Sequence, residues 1–406
     1  MDTLVELYDK EPLENVLAGC IFCPKRVVYL CDGRDSSLRK ERAVGRLFQS
    51  RGLHVETRFY YMNTADPAAI EHVLLAVARD YPGCVFDFTG GRDLVLLIAG
   101  LVCREKQLPG FYIDARRGRF INLGGCDALA QQFHMPQFCI EDVLALSGAR
   151  LAGCGHYGLE EIGPKFERQA KDIFSMVLES PARWAALVRW LQAADAEKDT
   201  LRVCAQPQLK VNSRFTARCE TALLRRLEKK WKPALGRMQL RRLEKTGALQ
   251  ELVLGKAISF RYADGRMMRS LQNDGIWLEL ACFFAAREAG IFCDVRTSVV
   301  VEWTVSEEKG TPPTRNEIDV MCVAGTMPVF ISCKMASPSP LALSEIEVLC
   351  RRFGGEAARA VVVTAAEPRR DSPAIYQRAK DLGITLIGGD VLRTGKLAQC
   401  LRRAAK

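Results

Sequence analysis

The chain has 406 residues, 48% hydrophobic and 26% charged, with a formal net charge of +10. That is the composition of a globular protein long enough for two or three domains, each with its own core. No apolar run approaches the roughly 20 residues that span a bilayer, and "MDTLVELYDKEP" at the start lacks the basic-then-apolar order of a secretory signal. A cytoplasmic protein without a membrane partner is expected. The 16 cysteines are scattered singly. Cys20 and Cys23 make a lone CxxC with no second pair at zinc-binding distance, so the thiols read as small buried apolar residues in a reducing compartment. The four histidines, His54, His72, His134 and His156, leave the C-terminal half without an imidazole, and chemistry there must use carboxylates and lysine.

Residues 1–136 alternate strand and helix patterns. "TLVELYD" reads as a strand and "PLENVLAG" as helix-like. "RVVYLCD" is a second strand, followed by a helix over "SSLRKERAVGRLFQSR" capped by Ser36 or Ser37. "HVETRFYYM" is a third strand, before a helix capped by Asp66 with Pro67 in its first turn. "GCVFDFTGG" is a fourth strand running into the apolar helix "RDLVLLIAGLVCRE", and "GFYIDARRGRFINL" closes the unit as a hairpin. Strands spaced by helices of this length predict a mostly parallel, doubly wound sheet.

Residues 137–265 read as mainly helical, through "IEDVLALSG", "FERQAKDIFSMVLESPARWAALVRWLQAA" and "ARCETALLRRLEKKW". They end in two short helices and strands joined by "ADGR", a winged-helix-like pattern. Between 210 and 245 lie Lys210, Arg214, Arg218, Arg225, Arg226, Lys229, Lys230, Lys232, Arg237, Arg241, Arg242 and Lys245, opposed by Glu220, Glu228 and Glu244. Such a block attracts polyanions; a solvated helix face is the other reading. Residues 266–406 turn α/β again: an amphipathic helix "GIWLELACFFAAREAG", a strand, a hairpin, a helix, a strand, a helix and a strand. The longest polar stretch, "VSEEKGTPPTRN", reads as a loop beside the hairpin.

Two stretches carry chemistry. In "FDFTGGRD", a strand ends in Thr-Gly-Gly before an apolar helix, which sets backbone N–H groups and a hydroxyl at a helix N-terminus, where an anion is favoured. Neither GxGxxG nor GxxxxGK[ST] is present, which argues against a nicotinamide site and an NTPase. In "NEIDVMCVAGTMPVFISCKM", two strands joined by "AGTM" carry Asp319 and Lys334, and period-two alternation brings both towards one rim. They form either a cross-strand ion pair or part of a metal-dependent site.

On "TLVELYDKEPLENVLAG", "FTGGRDLVLLIAG" and "YIDARRGRF", the N-terminal unit resembles the CARF domain, the CRISPR-associated Rossmann-fold sensor of cyclic oligoadenylate. The resemblance implies a homodimer with the ligand in a cleft across it. Thr89, Gly90 and Gly91 would then hold phosphate, with Asp9, Lys10 and Asn15 nearby. Many relatives have Thr-Lys after the glycines where this chain has Arg92-Asp93, and Arg92 would supply a cation. The C-terminal unit resembles the restriction-endonuclease-like fold with its PD-(D/E)xK signature. Asp319 and Lys334 fit, and Glu279 matches a glutamate on the preceding helix. In that family carboxylates hold Mn²⁺ or Mg²⁺, and the lysine stabilises the transition state. This chain departs from the signature at Ser332, where an acid is usual. The resemblance therefore gives Glu279 and Asp319 as ligands with the Cys333 carbonyl, Lys334 as electrostatic catalyst, and Glu317 and Glu345 as further carboxylates.

Together the motifs resemble the type III CRISPR ancillary nucleases that cyclic tetra-adenylate activates. Three units are expected: a CARF-like sensor at 1–136, a helical, winged-helix-like middle at 137–265 and a restriction-endonuclease-like domain at 266–406. The expected function is metal-dependent hydrolysis of phosphodiester bonds in DNA and/or RNA. The alternative is a cyclic oligoadenylate-responsive, DNA-binding transcription regulator whose nuclease domain Ser332 leaves inert.

Overall fold

The computed structural model describes residues 1–33, 38–155, 162–196, 216–220, 235–255, 257–303 and 314–405. The cap at Ser36 or Ser37 lies outside them, as does most of the polar loop before Asn316. Among the described residues, strands form three sheets. The first contains β1 (Thr3–Leu7), β2 (Arg26–Asp32), β3 (Glu56–Met62), β4 (Val85–Asp87), β5 (Gly110–Asp114) and β6 (Arg119–Gly124), ordered β3-β2-β1-β4-β5-β6. The first five run parallel and β6 returns antiparallel. Every residue of β1 is buried, as in a strand covered on both faces. Chain order reverses between β1 and β4, so their C-terminal ends open the crevice where doubly wound folds take ligands. The loop after β1 and the Thr89–Gly91 turn after β4 line that crevice.

Next in the chain, β7 (Arg150–Gly153) leaves this sheet and joins the last one. The middle sheet is β8 (Thr216–Glu220), β9 (Leu249–Leu254) and β10 (Ala257–Tyr262), antiparallel in the order β8-β10-β9. Its core gathers Trp184, Trp190, Leu243, Phe260 and Trp277. Here "ADGR" does not join two strands. It opens the helix Gly265–Leu271, whose N-cap Asp264 accepts a hydrogen bond from the Met267 N–H at 2.7 Å. An Asp-Gly pair serves a turn or an N-cap equally, and the backbone that follows decides between them.

The last sheet adds β11 (Asp294–Glu302), β12 (Arg315–Ala324), β13 (Met327–Lys334), β14 (Arg359–Thr364) and β15 (Thr385–Ile387), ordered β15-β14-β13-β12-β11-β7. β12 and β13 form the expected hairpin and β14 continues parallel to β13. The added strand β7 comes from a segment that reads as helical. It pairs with β11 and is fastened by buried Glu302, which Arg150 meets at 2.7 Å and Arg315 at 3.1 Å.

The helix Ile276–Ala289 is not amphipathic. Ile276, Trp277, Leu278, Leu280, Cys282, Phe284 and Ala286 are all buried, because one side of the helix packs in the middle module's core and the other against the last sheet. A third core runs from the first sheet (Leu4, Val27, Phe111) to the last (Met321, Phe330) and the helix Pro340–Gly354 that covers it (Leu343), so the N- and C-terminal units meet through apolar packing. Cys20, Cys23, Cys282, Cys322 and Cys333 are among the free thiols. No helix among the described residues is long and apolar enough to cross a membrane.

Candidate active site and sensor crevice

The register of β12 against β13 places Val320 opposite Ile331, so Asp319 comes opposite Ser332 at the point where paired positions end. Freed from its ladder, the Cys333 N–H donates to Asp319 Oδ2 at 2.6 Å, and the Ser332 hydroxyl donates to the same oxygen at 3.3 Å. Lys334 Nζ stands 3.6 Å from it, both side chains partly exposed. Glu317, two residues before Asp319, accepts from the Ser298 hydroxyl at 2.6 Å. Asp319, Glu317, Ser332 and Lys334 line one cavity of 380 Å³ with Glu345, contributed by the helix Pro340–Gly354. Ser339 caps that helix by accepting from the Ala342 N–H, with Pro340 in its first turn.

Glu279 approaches the same group from the helix Ile276–Ala289. Its Oε2 is buried with no hydrogen-bond partner. Burial first, then the charges of Asp319 and Glu317, push its carboxyl up to about 8, while Lys334 acts in the opposite direction. The sequence-assigned residues therefore converge: Asp319, Ser332, Lys334, Glu317 and Glu345 at the cavity, with Glu279 close enough to feel its charges. Among the described residues, no group of three or more His, Cys, Asp or Glu is spaced to hold a metal.

Sequence reading missed Ser298. It lies between the paired positions Thr297↔Val320 and Val299↔Ile318, across from Asp319, buried and with φ +47°. A serine in the left-handed region inside a strand is strained, and such strain gathers at functional sites. Nothing local in "RTSVVVE" signals it.

In the crevice after β1 and β4, the Thr89 and Gly91 donors are already engaged. Asp87 Oδ1 accepts from the Thr89 N–H at 2.8 Å and from the Thr89 hydroxyl. Thr89 Oγ1 accepts from the Ile113 N–H at 3.0 Å. Asp9 Oδ2 accepts from the Gly91 N–H at 3.0 Å. Gly90 sits close against the loop: a Cβ there would lie 3.0 Å from the Cβ atoms of both Asp9 and Glu14, which would have to give way. The Asn15 amide serves the loop itself, accepting from Asp9 N and donating to the Asp9 and Glu11 carbonyls. Arg92 pairs with buried Asp32 at 2.8 Å. Lys10 stays exposed at the crevice rim.

Beneath the turn sit acids that the motif search passed over. Glu6 of β1 and Asp87 of β4 are register partners and both buried, with Glu6 Oε1 and Asp87 Oδ2 lacking hydrogen-bond partners. Burial, with each other's charge, raises Glu6 well above the usual carboxylate range, and burial raises Asp87 to about 7. Glu14 is raised to about 7, by burial and then by Asp9, Glu11 and Asp87, with Arg116 opposing. A glutamate inside the buried run "TLVEL" was the readable sign.

Of the basic block, the helix Leu235–Lys245 carries Arg237, Arg241, Arg242 and Lys245, and Arg242 forks onto Glu179 at 2.5 and 2.6 Å. Lys210, Arg214, Arg225, Arg226, Lys229, Lys230 and Lys232 lie outside the described residues.

Residues 266–405 match the family of Card1-like endonuclease domains. Two solved structures share the fold of the whole chain. Protein VC1899 from Vibrio cholerae aligns at TM-score 0.76 and 18% identity, over 100% of this chain and 98% of that one. Can2 from Sulfobacillus thermosulfidooxidans, in complex with cyclic tetra-adenylate, aligns at TM-score 0.68 and 14% identity, over 100% of both chains. No curated protein sequence matches the chain. The chain therefore shares its overall fold with these two proteins, and its C-terminal third matches an endonuclease domain family.

Proposed function

We propose that the chain is a metal-dependent endonuclease, switched on by a cyclic oligoadenylate bound in the sensor crevice of a homodimer and acting in type III CRISPR defence. The observation that carries the reading is the convergence of Asp319, Ser332, Lys334 and Glu345 on one cavity, with Glu279 coupled to it, inside the segment that matches the endonuclease family. Cyclic tetra-adenylate, the ligand bound to Can2, is the activator of choice.

The donor set fits a hard divalent cation. Mg²⁺ and Mn²⁺ prefer oxygen, and Mg²⁺ is commonly held by one or two carboxylates while keeping several waters. Glu279, with a buried unpartnered oxygen, and Asp319 supply two carboxylates. The Cys333 carbonyl is the third oxygen, on the strand edge whose N–H already faces Asp319. The chemistry such an ion supplies when bound is a water acidified for attack and a neutralised phosphate oxygen. Lys334 contributes a point charge beside the phosphate. Ser332, in the position of the usual acid, orients Asp319 by a hydrogen bond and adds no third negative charge beside Glu279. Glu317 and Glu345 orient water or substrate within the cavity.

The homodimer rests on an apolar surface at the edge of the first sheet. Leu97 and Leu101 on the helix Asp93–Glu105 are 61% and 59% exposed, and Ile121 and Leu123 on the edge strand β6 are 45% and 56% exposed. The deciding experiment is cleavage of labelled single-stranded and supercoiled nucleic acid, with and without cyclic tetra-adenylate, in Mn²⁺, Mg²⁺ or chelator. Cleavage that needs activator and metal together is expected. Activator binding with silence on every substrate would favour the regulator with an inert nuclease domain.

A further inference from the structure

The loop after β1 makes two contacts that belong to different halves of the molecule. Towards the sensor, Asp9 Oδ2 holds the Gly91 N–H at 3.0 Å and its other oxygen holds the Glu11 N–H at 2.9 Å. Towards the nuclease, the Glu11 carboxylate accepts from the Glu356 N–H at 3.0 Å. Glu356 stands just after the helix Pro340–Gly354, whose first half lines the catalytic cavity with Leu341, Ser344 and Glu345. The turn is shaped around this carboxylate. Gly355 has φ +67°, and a Cβ there would lie 2.4 Å from Glu11 Oε2.

The loop between the two contacts is stiff. Asn15 donates to the Asp9 and Glu11 carbonyls and accepts from the Asp9 N–H, and its own carbonyl is held by the buried Tyr29 hydroxyl at 2.8 Å. Motion at Asp9 is therefore not absorbed before Glu11. The Gly91 N–H is also the donor that a ligand phosphate at this turn would seek. In the resting chain a protein carboxylate holds it.

We propose that Asp9 stands in for the activator's anion in the resting state, and that Glu11 is the positioning residue that transmits its displacement to the helix lining the catalytic cavity. This rests on the reading of the crevice as the activator site. A phosphate that takes the Gly91 N–H repels the Asp9 carboxylate. The stapled loop moves as a unit, Glu11 leaves Glu356, and the helix Pro340–Gly354 is released. The device has two discrete arrangements, as coupling between sites requires.

The test uses the full chain with Glu11→Ala and Glu11→Gln, the second keeping an oxygen for the Glu356 N–H. Two quantities are measured: binding of fluorescent cyclic tetra-adenylate, and the ratio of cleavage rates with and without it. Ordinary allosteric coupling spans roughly 5–150-fold. Glu11→Ala is expected to keep binding activator while its rate ratio falls at least about 5-fold, and Glu11→Gln to recover most of that ratio. Hydrogen exchange over residues 354–358 should rise in the parent when activator binds, and should already be high in Glu11→Ala. A parent-like ratio in Glu11→Ala, or equal losses of both rates that leave the ratio intact, would overturn the strut alone. A parent that binds no cyclic oligoadenylate would overturn the activator site, and the strut with it.

Discussion

Lys334 and Asp319 form a partly exposed pair at 3.6 Å, and pairs of that kind add at most about 1 kcal/mol to stability. Lys334→Ala is therefore expected to leave thermal unfolding nearly unchanged. Removing a charge that stabilises the transition state costs about 100-fold or more in rate, so cleavage should fall by at least that. Parent-rate cleavage by the variant would remove Lys334 from the mechanism. The pair under the sensor turn behaves differently. Glu6 and Asp87 are buried register partners that hold a proton more tightly in the folded chain than in the unfolded one. Their protonated form stabilises the fold: the gain is complete below the unfolded value of about 4 and is lost as pH rises through about 7. The melting temperature should thus fall between pH 5 and pH 8. Asp87→Asn keeps an oxygen for the Thr89 donors and should flatten that slope; an unchanged slope would refute the pair as its source. The residues that gather at the candidate site, Asp319, Glu317, Ser332 and Lys334, were legible in "NEID" and "SCK". The strained Ser298 and the buried acids were not, since they depend on which strands become neighbours.

Elements with strong local patterns emerge where their patterns lie. The hairpin Arg315–Lys334 and the Thr-Gly-Gly turn carry their own turn chemistry, and the helix Asp93–Glu105 carries an acid in its first turn and a long apolar run. β7 was illegible because four residues give no period, and its place is set by Glu302, which lies 152 positions from Arg150. The helix Ile276–Ala289 was legible as a helix but not in its surroundings. With one side in the middle core and the other against the last sheet, it has no solvent stripe to betray its orientation. Trp277 marks the junction: fully buried, its ring lies 6.2 Å from that of Trp184 at 90°. Trp277→Ala should cost about 3–5 kcal/mol as a large-to-small core change. Because Glu279 is two residues on, cleavage should fall more steeply than stability when both are followed through a denaturant titration. A variant that loses stability and activity in step would mean that the tryptophan only fills space.

At the scale of the whole molecule, alternation along the chain predicts a doubly wound sheet first and a second α/β unit last, and the strand orders bear this out. What local patterns leave open is how the two sheets share a core, and which surfaces remain for a second copy. The edge strand β6 pairs on one side with β5 and presents Ile121 and Leu123 to solvent; Leu97 and Leu101 are exposed on the helix Asp93–Glu105, whose Leu96 and Gly100 line one cavity with Leu123. Edge strands that stay soluble are normally guarded by charge, and exposed apolar clusters on a monomer are small. In the proposed homodimer, a second copy apposed through this surface would cover these residues and bring two Thr-Gly-Gly turns to one crevice, which would suit a ring-shaped polyanion better than one turn alone. Leu101→Glu introduces two like charges across such an interface and strands them in an apolar setting, where an unpaired charge is costly. The parent is expected to run as a dimer in light scattering and the variant as a monomer at the same concentration, and the variant's affinity for cyclic tetra-adenylate should fall at least about 10-fold, the effect of 1.4 kcal/mol. A variant that remains dimeric and binds as the parent does would place the partner surface elsewhere on the chain.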